Sequence, residues 1–232
     1  MKKKISRLVI IPARGGSKRI KNKNLKKFHN KPLISYAINA LKDSKLFNKI
    51  HISSDSTKIL NYCKKLGIKT DFLRPKFLAD DKTPLAPVIE YVVKEYLKKN
   101  IFFNQVWLVY ATNPFINKTI IQKCENAFRQ IQKSPQNALM TVTKFADPIY
   151  WAQSITKKGF LMPMFKDKLK IRSQDLTDSY CDAGMINIYH GEKFIKKINK
   201  KINYYPFEVK GHKSVDIDTK EDFVIASKLF KL

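Results

Sequence analysis

Glycine is scarce in this chain, 7 in 232 residues, and cysteine is scarcer still, at 3. The glycines and the 10 prolines follow no period, which excludes collagen-like and low-complexity classes. Cys63, Cys124 and Cys181 are odd in number and widely spaced, so they form neither a disulfide framework nor a zinc-ligand pattern. Thiols used this way point to a reducing compartment, and the cytoplasm is the expected location. No apolar run approaches the roughly 18 residues that a spanning helix needs, so no membrane partner is expected. The opening, MKKKISRLVIIPARGG, has the charged start of a signal peptide. Its apolar part, Leu8 to Pro12, is about half the usual length and runs into a basic loop, so no leader is expected. Acidic residues are also few: 19 Asp+Glu stand against 46 Lys+Arg, a formal net charge of +27.

What is present is a globular composition. Hydrophobic residues make up 44% and aromatics 12%, enough apolar surface to offset the ordering entropy that keeps disordered chains open. The length suits one domain over residues 1–232 with a sizeable core. Of the basic residues 40 are lysine and only 6 arginine, and the lysines occur in every segment. Scattered lysine reads as a solvated surface. A basic nucleic-acid-binding protein, the non-enzyme alternative, would gather lysines on one face and interleave aromatics, so no nucleic-acid partner is expected. The rare arginines say more, because guanidinium suits planar two-point anion recognition. Four of them, Arg14, Arg19, Arg74 and Arg172, fall in segments taken up below.

RLVII (7–11) is a short continuous apolar run, as expected of a strand buried on both faces. Leu33, Ile34, Ala37, Ile38 and Leu41 share a helical face. KIHIS (49–53) alternates like a strand, 57–66 reads as a helix ending before Gly67, and 68–73 as a further short strand. Thr83 and Pro84 read as N-cap and first turn of a helix that keeps Val88, Ile89, Val92 and Val93 in period. Residues 105–111 read as a strand, Asn117 as the cap of a helix carrying Ile120, Ile121 and Cys124, and 138–143 as a strand. This alternation predicts an α/β fold with a parallel sheet and helices on both faces. From about 145 to 185 the period is lost, and the Pro-, Lys-, Asp- and aromatic-rich stretch reads as an excursion or dimerisation arm. MINIY (185–189) resumes strand character. VDIDTKEDF (215–223) reads as a strand end, then a Thr-x-x-Asp capping box opening the last helix.

The densest local signal is IIPARGGSKRIKNKN, residues 10–24. In open parallel sheets, ligands sit beyond the carboxyl ends of the strands. Gly15 and Gly16 allow close backbone approach and can aim N–H groups at an anion. Arg14, Ser17, Lys18, Arg19 and Lys23 surround them with donors, a composition that suits a triphosphate, although neither GxxxxGK[ST] nor GxGxxG is present. A merely solvated basic loop is the plain alternative. Asp216 and Asp218 are spaced i, i+2, which in a strand puts both carboxylates on one face. Two carboxylates with phosphate oxygens suit Mg²⁺, and helix capping is the alternative for Asp218.

IIPARGGSKRI…KN closely resembles the opening of the acylneuraminate cytidylyltransferase family, the CMP-sugar synthetases that activate nonulosonic (sialic-type) acids. FLRPKFLADDKTP (72–84), VYATNPFI (109–116), IRSQDLTDSYCDAGMINIY (171–189) and VDIDTKEDF (215–223) resemble its later motifs in order. YAT-x-PF and RSQDL…DAG are closest to the pseudaminic acid branch. The chain departs from the family at Tyr110 or its neighbour, usually Gln, at Cys181, where the branch has His, and at Asn187, near a position often aromatic. The resemblance implies a Rossmann-like, GT-A-like nucleotidyltransferase fold, with a mostly parallel sheet and an excursion that packs across a homodimer. It implies Mg²⁺-dependent transfer from CTP to a nine-carbon keto-acid sugar, pseudaminic acid, releasing pyrophosphate. A legionaminic or N-acetylneuraminic acid synthetase is the alternative. The nucleotide-binding residues so implied are Ala13, Arg14, Gly15, Gly16, Ser17, Lys18, Lys23, Asn24 and Arg74. Arg14, Lys23 and Asp216 are implied as catalytic, with Lys23 on the departing pyrophosphate, and Asp216 and Asp218 as metal ligands. Tyr110, Thr112, Asn113, Arg172, Gln174 and Asp182 are implied on the sugar. Arg74 is expected near the cytosine, with an ion pair to Asp80 or Asp81 as its alternative. His212 is a candidate to orient the metal segment.

Overall fold

The computed structural model describes residues 5–195 and 202–231. The side chain of His212, and with it the orienting role expected of it, lies outside the described residues. The strands are β1 (Arg7–Pro12), β2 (Lys27–Phe28), β3 (Lys31–Pro32), β4 (Lys49–Ser53), β5 (Gln105–Val109), β6 (Asn137–Lys144), β7 (Gln153–Ile155), β8 (Leu161–Pro163), β9 (Tyr180–His190) and β10 (Asn203–Glu208). The helices are α1 (Ile34–Ser44), α2 (Thr57–Lys65), α3 (Leu85–Lys98), α4 (Lys118–Ile131), α5 (Glu192–Ile195) and α6 (Lys220–Leu229).

The apolar run in β1 explains the layering. Leu8, Val9, Ile10 and Ile11 are all fully buried. Successive strand side chains point to opposite faces. Val9 and Ile11 therefore join the core with Ile38 of α1, Ile59 of α2 and Phe128 of α4. Leu8 and Ile10 join Ile89, Val92 and Val93 of α3 on the other face. The caps read from the sequence at α4 and α6 form: Asn117 accepts from Ile120 N, and Thr219 and Asp222 make a reciprocal capping box.

The main sheet runs β10-β6-β9-β5-β1-β4. β1 pairs in parallel with β4 and β5, and β6 with β10, whereas β9 is antiparallel to both β5 and β6. The sheet is thus mostly parallel, with β9 reversed. The reason is the excursion. It leaves the end of β6 and comes back to the same end, where Phe145 N donates to Ser179 O (3.0 Å) and Lys144 pairs with Tyr180. A chain that returns at the same end can only pair antiparallel. Tyr180 to Ala183 already belong to β9, so the excursion is shorter than its loss of period suggests. Between its ends lies the β7–β8 hairpin, with Ile155, Phe160 and Leu161 exposed.

Three local expectations fail. Residues 68–73 form no ladder; instead Thr70 Oγ1 accepts from Ile52 N at 3.3 Å and donates to Ile52 O at 3.4 Å along the edge of β4. A side chain satisfies that edge, and the backbone is left free to turn so that Asp71 can accept from Tyr96 Oη at 2.7 Å. Thr83 does not cap α3: the cap position is Pro84, and Thr83 Oγ1 donates to Phe77 O at 3.3 Å. The segment 215–218 is extended but joins no strand; Ile217 N donates to Thr112 O at 3.0 Å.

Candidate active site

Ile217 is fully buried, in a core with Ile20, Phe28, Phe115 and Ala226. In extended backbone its neighbours Asp216 and Asp218 must point the other way, and both line one cleft. Helix capping does not consume Asp218, because Asp222 Oδ2 takes the N–H groups of Asp218 (3.0 Å) and Thr219 (2.7 Å). Asp218 Oδ1 accepts from Lys23 Nζ at 2.7 Å and Oδ2 from Arg19 Nη2 at 2.8 Å. Lys23 Nζ also donates to Ile217 O at 3.0 Å, which anchors the basic loop to this segment. Burial works to raise the Asp218 carboxyl, but the hydrogen bond and charge of Lys23, with Arg19, hold it below its ordinary range.

Asp216 is held differently. Burial, with the charges of Asp218 and Asp182, raises its carboxyl above the usual range, against a hydrogen bond from the Thr112 side chain and the charge of Lys23. Its Oδ1 is buried with no hydrogen-bond partner among the described residues. A bulge brings β9 against it. The β6–β9 register jumps between Met140 and Val142, from Asn187 to Asp182. Inside the jump Asp182 Oδ1 accepts from Gly184 N at 2.8 Å. Gly184 adopts φ +57°, and a Cβ there would sit 2.6 Å from Asp216 Oδ2. The glycine of DAG is required twice over, by its conformation and by Asp216.

The cleft, about 520 Å³, opens beyond the carboxyl ends of β1 and β5. The basic loop supplies Arg14, Ser17, Lys18, Arg19, Lys23 and Asn24 to its walls, and Arg74, Tyr110 and Thr112 complete them. Ala13 is buried, its N–H on Ser53 O at 2.9 Å. Asn24, also buried, donates to Arg14 O at 3.2 Å and so braces the loop from within. Gly15 corrects the expectation that its amide faces an anion. That N–H is committed to Asp55 Oδ1 at 2.8 Å, and a Cβ would meet Ser56 Cβ at 3.0 Å. Gly15 is there for close packing against the start of α2, whereas Gly16 faces open space. Arg14 and Lys18 both pair with Asp81. Arg74 makes no pair with Asp80 or Asp81. It is 5% exposed and donates from Nε to Ser53 Oγ (3.0 Å) and from Nη2 to Ser53 O (2.7 Å). Burial lowers its pKa to about 10, so it stays cationic at neutral pH.

Of the residues expected on the sugar, Tyr110 and Thr112 line the cleft, and Asp182 acts electrostatically on both Tyr110 and Asp216. Asn113 does not line it: it is fully buried, and its Oδ1 accepts from Phe115 N at 3.0 Å. Arg172 and Gln174 stay on the excursion. Arg172 Nε donates to Asp175 Oδ2 at 2.8 Å, and Gln174 lines another cavity with Lys144 and Asp147. Sequence reasoning missed Asp81 as a partner of the basic loop and Asp55 behind it. The available signal was their rarity, two acids in a chain with few.

Cations gathered at the end of a parallel sheet, facing two carboxylates, can hold a polyphosphate and a divalent ion together, as a nucleotidyltransferase must. The chain belongs to the cytidylyltransferase family, whose model matches residues 8–231. It is 35% identical over 232 residues to pseudaminic acid cytidylyltransferase of Campylobacter jejuni, covering 97% of this chain and 96% of that protein. It is 29% identical to CMP-N,N'-diacetyllegionaminic acid synthase of Legionella pneumophila, covering 97% and 96%. The fold is shared with a solved CMP:2-keto-3-deoxy-manno-octonic acid synthetase complexed with CTP, at TM-score 0.69 and 15% identity, covering 97% of this chain and 98% of that one.

Proposed function

We propose that the protein transfers the CMP group of CTP to pseudaminic acid, forming CMP-pseudaminic acid and pyrophosphate. The observation that carries this reading is the basic loop facing the Asp216 and Asp218 carboxylates across one cleft, in a chain so similar to a pseudaminic acid enzyme. In the reaction, the anomeric hydroxyl oxygen of the sugar bonds to the α-phosphorus. The bond from that phosphorus to the bridging oxygen breaks, and pyrophosphate leaves. Arg14, Ser17, Lys18 and Lys23 bind the phosphates, and Lys23 and Arg14 take up charge on the departing group. Arg74 is positioned by Ser53 to meet the base. Asp216, desolvated beside the cleft, receives the hydroxyl proton on Oδ2.

The donor set suits Mg²⁺. Asp216 Oδ1 is a buried acceptor lacking a donor, and Asp218 would join it once Lys23 and Arg19 turn from its two oxygens to the phosphates. Mg²⁺ is commonly held by one or two carboxylates together with substrate phosphates. When bound here it would neutralise phosphate charge and lower the pKa of the attacking hydroxyl.

The test is pyrophosphate release from CTP with pseudaminic, legionaminic and N-acetylneuraminic acid, with Mg²⁺ and with EDTA. Release with pseudaminic acid alone, abolished by EDTA, is expected. Release with another sugar instead would keep the chemistry and overturn the substrate; an equal rate in EDTA would remove the metal.

The exposed apolar excursion fits self-association. Ile155, Phe160, Leu161 and Met164 are each more than half exposed, a patch of the kind that marks an interaction surface. Sedimentation is expected to give twice the 27.0 kDa chain mass, and Leu161→Asp to yield a folded monomer. A monomeric wild type would remove this part of the reading.

A further inference from the structure

Tyr96 of α3 is 1% exposed and packs in an apolar layer with Leu8, Ile10, Ile89 and Val93. Its hydroxyl nevertheless holds two polar partners. It donates to Asp71 Oδ2 at 2.7 Å and lies 3.1 Å from Nδ1 of His51 on β4, also 1% exposed. Proton counting fixes the tautomer. The single hydroxyl proton is on Asp71, a carboxylate paired with Lys49 at 2.6 Å, so Nδ1–H of His51 donates to the hydroxyl oxygen. Burial pushes the imidazole down to about 3, so the ring is neutral at pH 7. Its Nε2 is then a bare acceptor, buried with no hydrogen-bond partner among the described residues. A polar chain with an unmet end inside an apolar layer costs stability. Local rules are broken in this way mainly at functional sites.

The geometry at stake is that of residues 70–74, which join no ladder. They are tied one by one to the end of β4 and the residue after it. Thr70 Oγ1 is bound to Ile52, and Phe72 packs its ring on His51 with centroids 4.5 Å apart. The Arg74 guanidinium is on Ser53, and the Arg74 N–H donates to Ser54 O at 2.9 Å. Asp71 alone ties the segment across to α3, through Tyr96. Arg74 then lines the cleft. A guanidinium is a donor only. O2 and N3 of cytosine both accept, whereas N3 of uracil carries a hydrogen, so a guanidinium held still against that edge favours cytosine.

We propose that the His51–Tyr96–Asp71 chain is a positioning device for Arg74, and that through it the enzyme tells CTP from UTP. The inference rests on the proposed function, in which Arg74 meets the base, and deepens it by naming the residues that aim it. Without the Tyr96 hydroxyl, Asp71 keeps only Lys49, a point charge on a flexible stem that accepts many positions. Residues 70–74 then gain freedom along β4, and the guanidinium no longer presents fixed donors.

The test is steady-state kinetics with CTP and with UTP, using the accepted sugar acid, for wild type, Tyr96→Phe, Asp71→Ala and Asp71→Asn. Tyr96→Phe keeps the ring in its core and removes only the hydroxyl. The Asp71 side chain is 27% exposed, so its variants fold even where the buried change does not. In Tyr96→Phe and Asp71→Ala, KM for CTP is expected to rise by about 10-fold, and the kcat/KM preference for CTP over UTP to fall by about 10-fold. KM for the sugar should stay within about twofold. Asp71→Asn, whose amide oxygen can still accept from Tyr96, should keep the preference within about threefold of wild type. In an Arg74→Ala background, Tyr96→Phe should change CTP affinity, read by calorimetry, by less than about twofold, because the residue it aims is gone. An unchanged preference in Tyr96→Phe and Asp71→Ala would overturn the proposal, whatever happens to Tm. Equal losses in Asp71→Asn and Asp71→Ala, or the full effect of Tyr96→Phe without Arg74, would overturn it too. A wild type that releases no pyrophosphate from CTP would overturn the functional reading first, and this inference with it, before any variant is made.

Discussion

Asp216→Asn is expected to lower kcat by about 10³-fold while leaving Tm unchanged or higher. The two effects have one origin. The Asp216 carboxylate is buried, lies near Asp218 and Asp182, and has one oxygen without a partner. Burial raises its pKa, which means that the folded protein disfavours the charged form relative to the unfolded chain, so at neutral pH the charge subtracts from stability. Asparagine removes that charge and keeps the shape, and its oxygen can still accept from the Thr112 side chain. What it loses is the anionic oxygen for a proton or a metal ion. Turnover measured by pyrophosphate release, with thermal melts in metal-free buffer, checks both halves. A kcat within tenfold of wild type would remove Asp216 from the chemistry. A large fall in Tm would mean that its role is structural.

Gly184→Ala is expected to cost at least about 10²-fold in kcat and to lower Tm by about 3–8 °C. The added methyl meets two obstacles. At φ +57° a side chain carries a backbone penalty of about 1–2 kcal/mol. The Cβ would also stand 2.6 Å from Asp216 Oδ2 and 3.0 Å from Asp216 Cβ, so Asp216 must move. Gly159→Ala separates the two. Gly159 has φ +84° and nothing within 4 Å of its would-be Cβ, so it carries the backbone penalty without the clash. Its variant should lose stability and keep turnover per folded enzyme. Equal kcat losses in both would refute the positioning role assigned to Gly184.

Several parts of the site were legible because they depend on neighbours in the chain. The spacing of Asp216 and Asp218 needed only an extended backbone to put both carboxylates on one side, and the apolar Ile217 between them says which side faces inward. The basic loop followed from its own composition and its place after an apolar strand. The caps at Asn117 and Thr219 are contacts three residues long. Other parts depend on residues far away. Thr112 and Asn113 are adjacent and chemically alike, yet the first lines the cleft and the second is spent on the turn at Phe115. Gly15 looks like a phosphate-loop glycine until Asp55 is seen to take its amide. Arg74 looks like one half of an ion pair until Ser53 is seen to hold it.

By itself the sequence determined the layered α/β character, the family motifs and the residue types at the cleft. Those follow from side-chain period, local hydrogen bonding and the rarity of arginine and acid in a lysine-rich chain. Only the tertiary structure decided that β9 runs backwards, and that its bulge carries Asp182 and Gly184 to Asp216. It also decided that Asp81 closes on Arg14 and Lys18. Each of these is a contact between segments far apart in the chain. Its energy depends on which strand ends meet and which charges share one desolvated cleft, and no local pattern of residues encodes that.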